Sequence, residues 1–312
     1  MPRPVIIDCD PGIDDCVALM VALASRNELG VEAICTVAGN VNVATCTRNV
    51  LGLLALLGRV DVPVYSGCER PMSVNPVFAD HIHGENGLGS VCFPAAQTSA
   101  ATEDAVDYLI RRLADSGQPP ATLVIVGPST NLATALQKAP DITAGIEQIV
   151  LMGGARREGG NITPSAEFNI YADPHAAQTV FHGGRPLTVI GLDATLQLRC
   201  SPDRMAALRA IGNAASKAAA DMMEHVNAIY GEIYGTAGAA MHDPCTIAWL
   251  LAPDLFHARP VRIEVETASA LTRGHTAVDY HHTDDRPANA NWVDGLESDK
   301  VFALLLERIA RL

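Results

Sequence analysis

The sequence alternates short, almost uninterrupted runs of β-branched and aliphatic residues with longer amphipathic runs. The short runs predict strands at 5–8, 31–37, 122–126, 148–152 and 187–192. The longer runs predict helices at 14–25, 42–57, 102–114, 129–137 and 174–182. Strands that are apolar on both faces must be covered on both faces, which favours a parallel sheet between helical layers. We therefore expect an α/β protein with an open, mostly parallel, Rossmann-like sheet and its site beyond the carboxyl ends of the strands.

Composition narrows the classes of protein and partner. No linker-like Pro/Gly/Ser tract and no repeat divides the chain, so we expect one domain over residues 1–312. The net charge is -13 and no Lys/Arg-rich run occurs, which argues against nucleic acid and anionic membranes as partners. There is no signal-peptide pattern and no apolar run long enough to span a bilayer. The eight scattered cysteines, without a CxxC pair, are interpreted as small buried hydrophobes in a reducing cytoplasm.

An acidic cluster follows the first predicted strand. The segment DCDPGIDD contains Asp8, Asp10, Asp14 and Asp15 but no lysine or arginine. Strand alternation places the first two on one side, and the other two fall in the first helical turn, where carboxylates are modestly stabilised. Like charges a few ångströms apart cost roughly 1–4 kcal/mol per pair at effective dielectric constants of 80 to 20. A bound divalent cation would offset this repulsion, and oxygen-only ligands indicate Ca²⁺ or Mg²⁺ rather than zinc.

Three of the aspartates that precede proline have an alternative interpretation as helix caps. Asp-Pro pairs open predicted helices at 10–11, 173–174 and 243–244. Aspartate accepts hydrogen bonds from free backbone N–H groups at a helix start, and proline fits the first helical turn. Capping alone could therefore account for any one of these aspartates.

Two further segments place polar groups near the same sheet edge. In VGPSTNLATAL (126–136), a turn and a helix cap by Thr130 or Asn131 suffice, yet the Val126 carbonyl would project beside the acidic cluster. In the long loop 159–177, amide and carboxylate groups could bind hydroxyls, and Met152 before it would form an apolar wall. The candidate binding residues of this loop are Asn161, Glu167 and Asn169.

The remaining candidates lie in three short segments. His242 and Asp243 start a predicted helix, either as a cap with a neighbouring histidine, or as a proton donor beside a metal ligand. The Gly-rich segment 81–89 is either a mobile lid or an ordinary surface loop. Tyr230 and Tyr234 share a helical face and could stack on a planar ligand or simply pack.

Together these motifs resemble the nucleoside hydrolase family, the calcium-dependent inosine–uridine-preferring type. DCDPGIDD matches the family signature DxDPGxDD, and further family motifs follow in order over nearly the whole chain. They are VAGN (37–40), HGENGLG (83–89), GPSTNLA (127–133), LMGG (151–154), AEFNIYADPHAA (166–177), MHDPCTIAWL (241–250) and TRGHTAVD (272–279). The resemblance implies Ca²⁺-dependent hydrolysis of the N-glycosidic bond of ribonucleosides of the uridine, cytidine and inosine class, by a homodimer or homotetramer.

The resemblance also implies a role for each matching residue. The Ca²⁺ ligands would be Asp10, Asp15, the Val126 carbonyl and Asp243. Asp10 would also take a proton from the attacking water, and His242, which favours the inosine–uridine class, would protonate the leaving base. The ribose diol would be held by Asp14, Asn40 and Asn169, and the 5′-hydroxyl by Asn161 and Glu167. The base would lie near His83, Tyr230 and Tyr234, and Asp8 would support Asp10 and Asp15 from behind.

Two rival hypotheses share parts of this pattern. A Mg²⁺-dependent phosphatase of the haloacid dehalogenase type also begins with DxD at a strand end. Here, however, Pro11 and Gly12 follow the motif, and no later Lys and GDxxxD arrangement is evident. A non-catalytic Ca²⁺-dependent nucleoside or pentose binder would share the fold, but it would need neither Asp10 as a base nor His242 as an acid.

Overall fold

A computed structural model describes residues 1–235, 238–283 and 285–312, without the side chain of Tyr234. Within these residues nine strands join one sheet. They are β1 Arg3–Cys9, β2 Leu29–Thr36, β3 Val64–Ser66, β4 Ala121–Ile125, β5 Ile146–Met152, β6 Leu187–Ile190, β7 Phe256–Val265, β8 Thr276–Asp279 and β9 Ala290–Leu296. Their order in the sheet is β3-β2-β1-β4-β5-β6-β9-β7-β8.

Neighbouring strands are parallel from β3 through β9, and the two pairs at the far edge, β9 with β7 and β7 with β8, are antiparallel, so β7 alone among these nine strands runs against the others. The chain starts in the middle of the sheet, builds outward through β2 and β3, and then returns to build the other half from β4. The strand order therefore reverses between β1 and β4, and their carboxyl ends flank the point where ligands bind in open α/β sheets.

Helices cover both faces of the sheet in the described part of the chain. They are α1 Ile13–Ala24, α2 Val43–Leu56, α3 Asp80–His83, α4 Ala105–Ala114, α5 Thr130–Lys138, α6 Phe168–Ala172, α7 Pro174–Phe181, α8 Leu192–Thr195, α9 Pro202–Ile211, α10 Ala214–Tyr234, α11 Pro244–Leu251 and α12 Ser298–Ile309. Short 3₁₀ turns span Pro140–Gly145 and Pro253–Leu255. One face buries side chains of α1, α2 and α9–α12, and the other buries those of α4, α5 and α7.

The central strand β1 shows how the sequence produces two cores. Successive side chains of a strand point to opposite faces. Val5, Ile7 and Cys9 accordingly join the cluster beneath α1 and α2, whereas Ile6 joins the cluster beneath α4 and α5. All four are at most 1% exposed. Burial on both faces explains why the strand needs an uninterrupted apolar run.

The predicted fold class, strands and helices are confirmed, with shifts of a few residues at their ends. Four strands were not predicted, β3 and β7–β9. The first has three residues, and β7 contains a proline and three charged side chains because it lies near the sheet edge. All eight cysteines are free; six are buried, whereas Cys68 is partly exposed and Cys92 is exposed, so the prediction of burial was wrong for Cys92. No helix of the described residues is both long and apolar enough to cross a membrane.

Candidate active site

A cleft of about 290 Å³ opens at the carboxyl edge of the sheet, where β1, β2, β4 and β5 end. Eleven of the residues predicted from the sequence line it. They are Asp14, Asn40, His83, Val126, Met152, Asn161, Glu167, Asn169, Tyr230, His242 and Asp243. Asp10 and Asp15 are fully buried and do not line the cleft. The side chain of Tyr234 lies outside the described residues.

Three carboxylates form the centre of the acidic cluster. Oxygen atoms of Asp14, Asp15 and Asp243 all lie within 4.8 Å of one another. The first two come from the start of α1, and Asp243 comes from the start of α11, more than 200 residues later. The predicted ligand set named Asp10, Asp15 and Asp243, whereas this group contains Asp14 and not Asp10.

Asp10 lies directly behind this group, held between two chain turns. Its Oδ2 accepts a 2.6 Å hydrogen bond from the backbone amide of Asn40, whereas its buried Oδ1 has no hydrogen-bond partner among the described residues. A Cβ atom on Gly39 would lie 2.0 Å from Oδ2, and one on Gly127 would lie 2.6 Å from Oδ1. The carboxylate therefore fits only because both neighbouring turns carry glycine, a signal present in VAGN and VGPS.

Backbone and amide donors orient Asp15. Its Oδ1 accepts from the Asp10 amide at 3.1 Å, and its Oδ2 accepts from the Gly12 amide at 3.0 Å. The side-chain amide of Asn40 donates to the same Oδ2 and to the Asp10 carbonyl, both at 3.1 Å. Asn40 thus joins the ends of β1 and β2 around the acidic group.

The electrostatics of the cluster favour a bound cation. Burial, and then the charge of a neighbouring aspartate, raise the pKa values of Asp10, Asp15 and Asp243. No ion pair links Asp10, Asp14, Asp15 or Asp243 to an arginine or lysine in the described ranges. A divalent cation would restore the ionised forms, and a donor set of oxygen atoms only fits a hard cation such as Ca²⁺ or Mg²⁺.

The capping interpretation holds for only one of the three Asp-Pro pairs. Asp173 caps α7, since its Oδ1 accepts from the Ala176 amide at 3.1 Å. Helix α1 begins at Ile13 with Gly12 as its N-cap, so capping by Asp10 was wrong. Asp243 occupies the N-cap position of α11, but its side chain forms no capping bond there. Capping therefore does not account for the carboxylates of Asp10 and Asp243.

The predicted cap of α5 was also wrong. Ser129 is its N-cap, while Thr130 donates to Asp173 Oδ2 at 2.8 Å. Asn131 donates to Asp8 Oδ1 at 2.8 Å and to the Thr36 carbonyl at 3.0 Å. Burial raises the pKa of Asp8 to about 7, although the bond from Asn131 lowers it. Asp8 thus contacts α5, which covers the face of the sheet opposite α1 and α2.

The segment 159–169 contributes three predicted residues to one part of the cleft wall. Glu167 is the N-cap of α6 and accepts from the amides of Gly154, Asn169 and Ile170 at 2.9–3.2 Å. Burial nevertheless raises its pKa, because the carboxylate is withdrawn from water. Asn161 Oδ1 accepts from the Phe168 amide at 2.9 Å. These carboxylate and amide groups therefore face the cleft in fixed orientations.

The side-chain amide of Asn169 links this part of the cleft wall to the sheet. Its Nδ2 donates to the Val126 carbonyl at 2.8 Å and to the Met152 carbonyl at 3.2 Å. The Val126 carbonyl therefore lies in the cleft, as predicted, with one lone pair already engaged. Its second lone pair remains for a cation or a substrate hydroxyl.

Two histidines and a tyrosine also line the cleft. His242 Nδ1 lies 2.7 Å from Thr195 Oγ1, and its Nε2 lies 3.3 Å from the Tyr230 hydroxyl. The His242 amide donates to Asp14 Oδ2 at 3.2 Å. Burial lowers the pKa of His242, and it lowers that of His83 to about 4. For both rings, withdrawal from water therefore disfavours the charged form.

The loop 81–89 is attached to the acidic turn. His83 Nδ1 accepts from the Ile13 amide at 3.1 Å. The side-chain amide of Asn49 donates both to the Pro11 carbonyl, at 3.1 Å, and to the Asn86 carbonyl, at 2.8 Å. His83 and Leu88 are buried. These contacts describe a loop docked on the site rather than a free surface loop.

Sequence reasoning missed most of the apolar wall of the cleft. Its further lining residues include Ile82, Ile162, Phe168, Met223, Val226 and Ile233. They come from α3, the loop 159–167, α6 and α10, and apolar residues in such segments look like ordinary core. Thr195 was missed too, since its partner lies 47 residues away in the chain.

Comparisons with known proteins agree with this geometry. The family model described as inosine-uridine preferring nucleoside hydrolase matches residues 5–303. The chain is 42% identical over 311 residues to the pyrimidine-specific ribonucleoside hydrolase RihA of Shewanella sp. (strain ANA-3), covering 99% of this chain and 97% of that protein. It is 41% identical over 310 residues to RihA of Escherichia coli O81 (strain ED1a), covering 99% of both.

A solved structure shows the same fold at lower identity. The purine-preferring ribonucleoside hydrolase from Gardnerella vaginalis superposes with a TM-score of 0.91 at 33% identity, covering 99% of this chain and 98% of that one. These matches span nearly the whole length of the chain. This chain therefore belongs to the inosine-uridine preferring nucleoside hydrolase family and is an enzyme that hydrolyses the N-glycosidic bond of ribonucleosides.

Proposed function

We propose that this enzyme uses Ca²⁺ to hydrolyse ribonucleosides of the uridine, cytidine and inosine class to ribose and the free base. The observation that carries the proposal is the group of three neighbouring carboxylates at a cleft lined by both polar groups and apolar side chains. The polar groups suit a ribose with its hydroxyls and the apolar side chains suit a planar base, so we propose that the ribose occupies a polar end formed by the carboxylates, Asn161 and Glu167, and that the base occupies an end formed by His242 and Tyr230. The cleft volume of about 290 Å³ is at the small end of ligand sites, as a single nucleoside requires.

We propose that Asp10, Asp15, Asp243 and the Val126 carbonyl hold the cation. The partnerless Oδ1 of Asp10 supports its inclusion, because a buried oxygen without a donor is a costly arrangement that a cation would relieve. Asp14 is near enough to serve as a ligand as well as a ribose contact. When bound, Ca²⁺ would lower the pKa of an attacking water and orient the ribose diol.

The chain's own residues supply the base and the stabilising charge. Asp10 accepts a proton from the water that attacks the anomeric carbon. As the N-glycosidic bond breaks, positive charge develops on the ribose, as in other oxocarbenium-like reactions. The carboxylate of Asp14 and the oriented amides of Asn40 and Asn169 surround the polar end, where they stabilise that charge and hold the ribose hydroxyls.

The leaving base requires a proton or a hydrogen bond because its anion is unstable in water. His242 lines the proposed base end of the cleft, and its Nε2 is near the Tyr230 hydroxyl. It delivers a proton or a hydrogen bond to the base as the bond breaks. His83, at the same end, contacts the base from the docked loop.

For the preferred base, we propose uridine and cytidine ahead of purine nucleosides. The relatives of 41–42% identity are named pyrimidine-specific, whereas the Gardnerella enzyme at 33% identity is named purine-preferring. The base end is bounded by Met223, Val226 and Ile82, which fix its apolar shape. We also propose that the enzyme works as a homodimer or homotetramer in the cytoplasm, as the family resemblance implies.

The test is ribose release from uridine, cytidine, inosine and adenosine, before and after removal of divalent metal and after restoring Ca²⁺ or Mg²⁺. We expect activity to disappear on stripping and to return with Ca²⁺, with uridine and cytidine fastest. Asp10→Asn should abolish turnover, and the exposed Asp141→Asn should serve as the matched control. Metal-independent cleavage would contradict the cation, and Ca²⁺-dependent binding without ribose release would indicate a non-catalytic binder.

A further inference from the structure

The two ring nitrogens of His242 face different surroundings. Nε2 lies 3.3 Å from the hydroxyl of Tyr230, which lines the cleft. Nδ1 lies 2.7 Å from Oγ1 of Thr195, which is 0% exposed at the end of α8 and does not line the cleft. Any ligand in the cleft is therefore met by Nε2, while Nδ1 faces the protein interior.

The hydroxyl of Thr195 distinguishes between the two neutral forms of the ring. A neutral imidazole carries one proton, either on Nδ1 or on Nε2. In the described residues, His242 Nδ1 is the only hydrogen-bond partner of Thr195 Oγ1. If Nδ1 carried the proton, the Thr195 O–H would have no acceptor in a fully buried position, which is costly. If Thr195 donates to Nδ1 instead, its proton is satisfied and the ring proton must be on Nε2.

We propose that Thr195 is a positioning residue that holds the neutral His242 ring in the tautomer whose proton is on Nε2, aimed at the departing base. The catalytic benefit rests on the proposed role of His242 as donor to that base. The Nε2–H donates a hydrogen bond to the departing nitrogen and stays on the ring, so no imidazolate forms, and the Thr195 hydroxyl keeps its proton and only orients the ring. The opposite tautomer would present a lone pair, which repels the electron-rich nitrogen of a leaving base.

Three variants isolate the hydroxyl. Thr195→Val removes it at nearly constant shape, and Thr195→Ser retains it. Thr122→Val is the matched control, because Thr122 in β4 is also fully buried and its hydroxyl has no partner to lose. The first measurement is the tautomer of His242 from ¹⁵N shifts of its ring in the Ca²⁺-loaded protein, at a pH where the ring is neutral. The spectrum of His242→Asn identifies its signals among the ten histidines.

We expect the Nε2–H form in the wild type, Thr195→Ser and Thr122→Val, and a shift toward the Nδ1–H form in Thr195→Val. The second measurement is kcat and KM on uridine and on 4-nitrophenyl riboside, whose leaving group needs little protonation. Thr195→Val should lower kcat on uridine about tenfold with KM nearly unchanged, and should change kcat on the nitrophenyl riboside less than about twofold.

Two results would overturn the proposal. One is an Nδ1–H tautomer in the wild type, or an unchanged tautomer in Thr195→Val. The other is an equal loss on both substrates, which would show a structural role only. The tautomer is measured without turnover, so an enzyme that cleaves no nucleoside would contradict the proposed function while leaving the tautomer result to decide on Thr195. If Thr195→Val does not fold, the wild-type and Thr195→Ser spectra still decide it.

Discussion

The backbone amide of Asn40 donates a 2.6 Å hydrogen bond to Asp10 Oδ2, and this bond holds the carboxylate against the Cα atom of Gly39. A side chain on Gly39 would put its Cβ 2.0 Å from that oxygen. We predict that Gly39→Ala displaces Asp10 and lowers kcat/KM on uridine at least about 100-fold, because a misplaced base and cation ligand lose their alignment. Ca²⁺ titration should show weakened binding in the same variant.

The matched control for this prediction is Gly30→Ala. A Cβ atom there would meet the Arg3 carbonyl at 3.5 Å, which is ordinary van der Waals contact. This variant should bind Ca²⁺ and turn over uridine as the wild type does. If Gly39→Ala bound Ca²⁺ as strongly as the wild type, the Asp10 carboxylate would be free to move, which would contradict this prediction.

The loss of kcat on removing His242 should increase with the leaving group's need for a proton. His242→Ala should lower kcat on uridine by about 10²–10⁴-fold, the usual contribution of general acid catalysis, because the pyrimidine anion is a poor leaving group. The same variant should lose less than about tenfold on 4-nitrophenyl riboside. Steady-state kinetics on both substrates provide the check, and equal losses would argue that His242 is not the acid.

The ribose 2′-hydroxyl should be required. It is expected to contact Asp14, Asn169 and the cation, so a 2′-deoxyribonucleoside would leave buried polar groups without a partner. We predict that kcat/KM for deoxyuridine is at least about 100-fold below that for uridine. 5′-Deoxyuridine, which tests only the Asn161 and Glu167 end, is a useful comparison. Similar rates on uridine and deoxyuridine would disprove the assigned ribose contacts.

The surface network of hydrogen bonds and ion pairs around Glu264, which does not line the cleft, should make the free energy of unfolding depend on pH. Partial burial raises the pKa of Glu264, but hydrogen bonds from Gln178 and Arg262 and the charges of His182 and Arg262 outweigh it and lower that pKa to about 2. A lowered folded-state pKa stabilises the protein above the unfolded value, and this contribution is lost as pH falls from about 4.5 toward 2. Glu264→Gln should therefore lower the free energy of unfolding by about 1 kcal/mol at pH 7 and by less at pH 3.

Urea denaturation at the two pH values measures this difference. Glu147→Gln, an exposed change on β5, controls for the loss of a negative charge. A destabilisation that is the same at both pH values would mean that the Glu264 network does not account for it.

The features that the sequence predicted are those with dense local signals. Five apolar runs predicted five central strands, and DCDPGIDD predicted a cation site at the end of the first. The DxD motif alone also fitted a phosphatase, and membership in the hydrolase family now excludes that alternative. Asn169 was found in the long polar loop, whereas Asn40 was found only because it belongs to a motif that the family shares.

What the sequence did not predict depends on partners distant in the chain. Asn131 looked like a helix cap, but Asp8, 123 residues away, takes its amide instead. Thr195 lies in a segment without any motif, and only the fold brings it to His242. Glu167 was predicted to bind substrate, yet its carboxylate also caps α6 and accepts from the Gly154 amide after β5. A local sequence pattern allows a polar side chain several hydrogen-bond partners, and tertiary packing decides which of them it has.

The attachment of the loop 81–89 to the acidic turn affects how mutant kinetics should be interpreted. Asn49 joins Pro11 to Asn86, and Ile13 donates to His83, so one set of bonds fixes both the sugar end and the base end of the cleft. Substitutions at the two ends should be strongly non-additive, since each perturbs bonds that the other needs. Engineering a new base preference through this loop therefore has to be judged by double-mutant cycles with the acidic turn rather than by single substitutions.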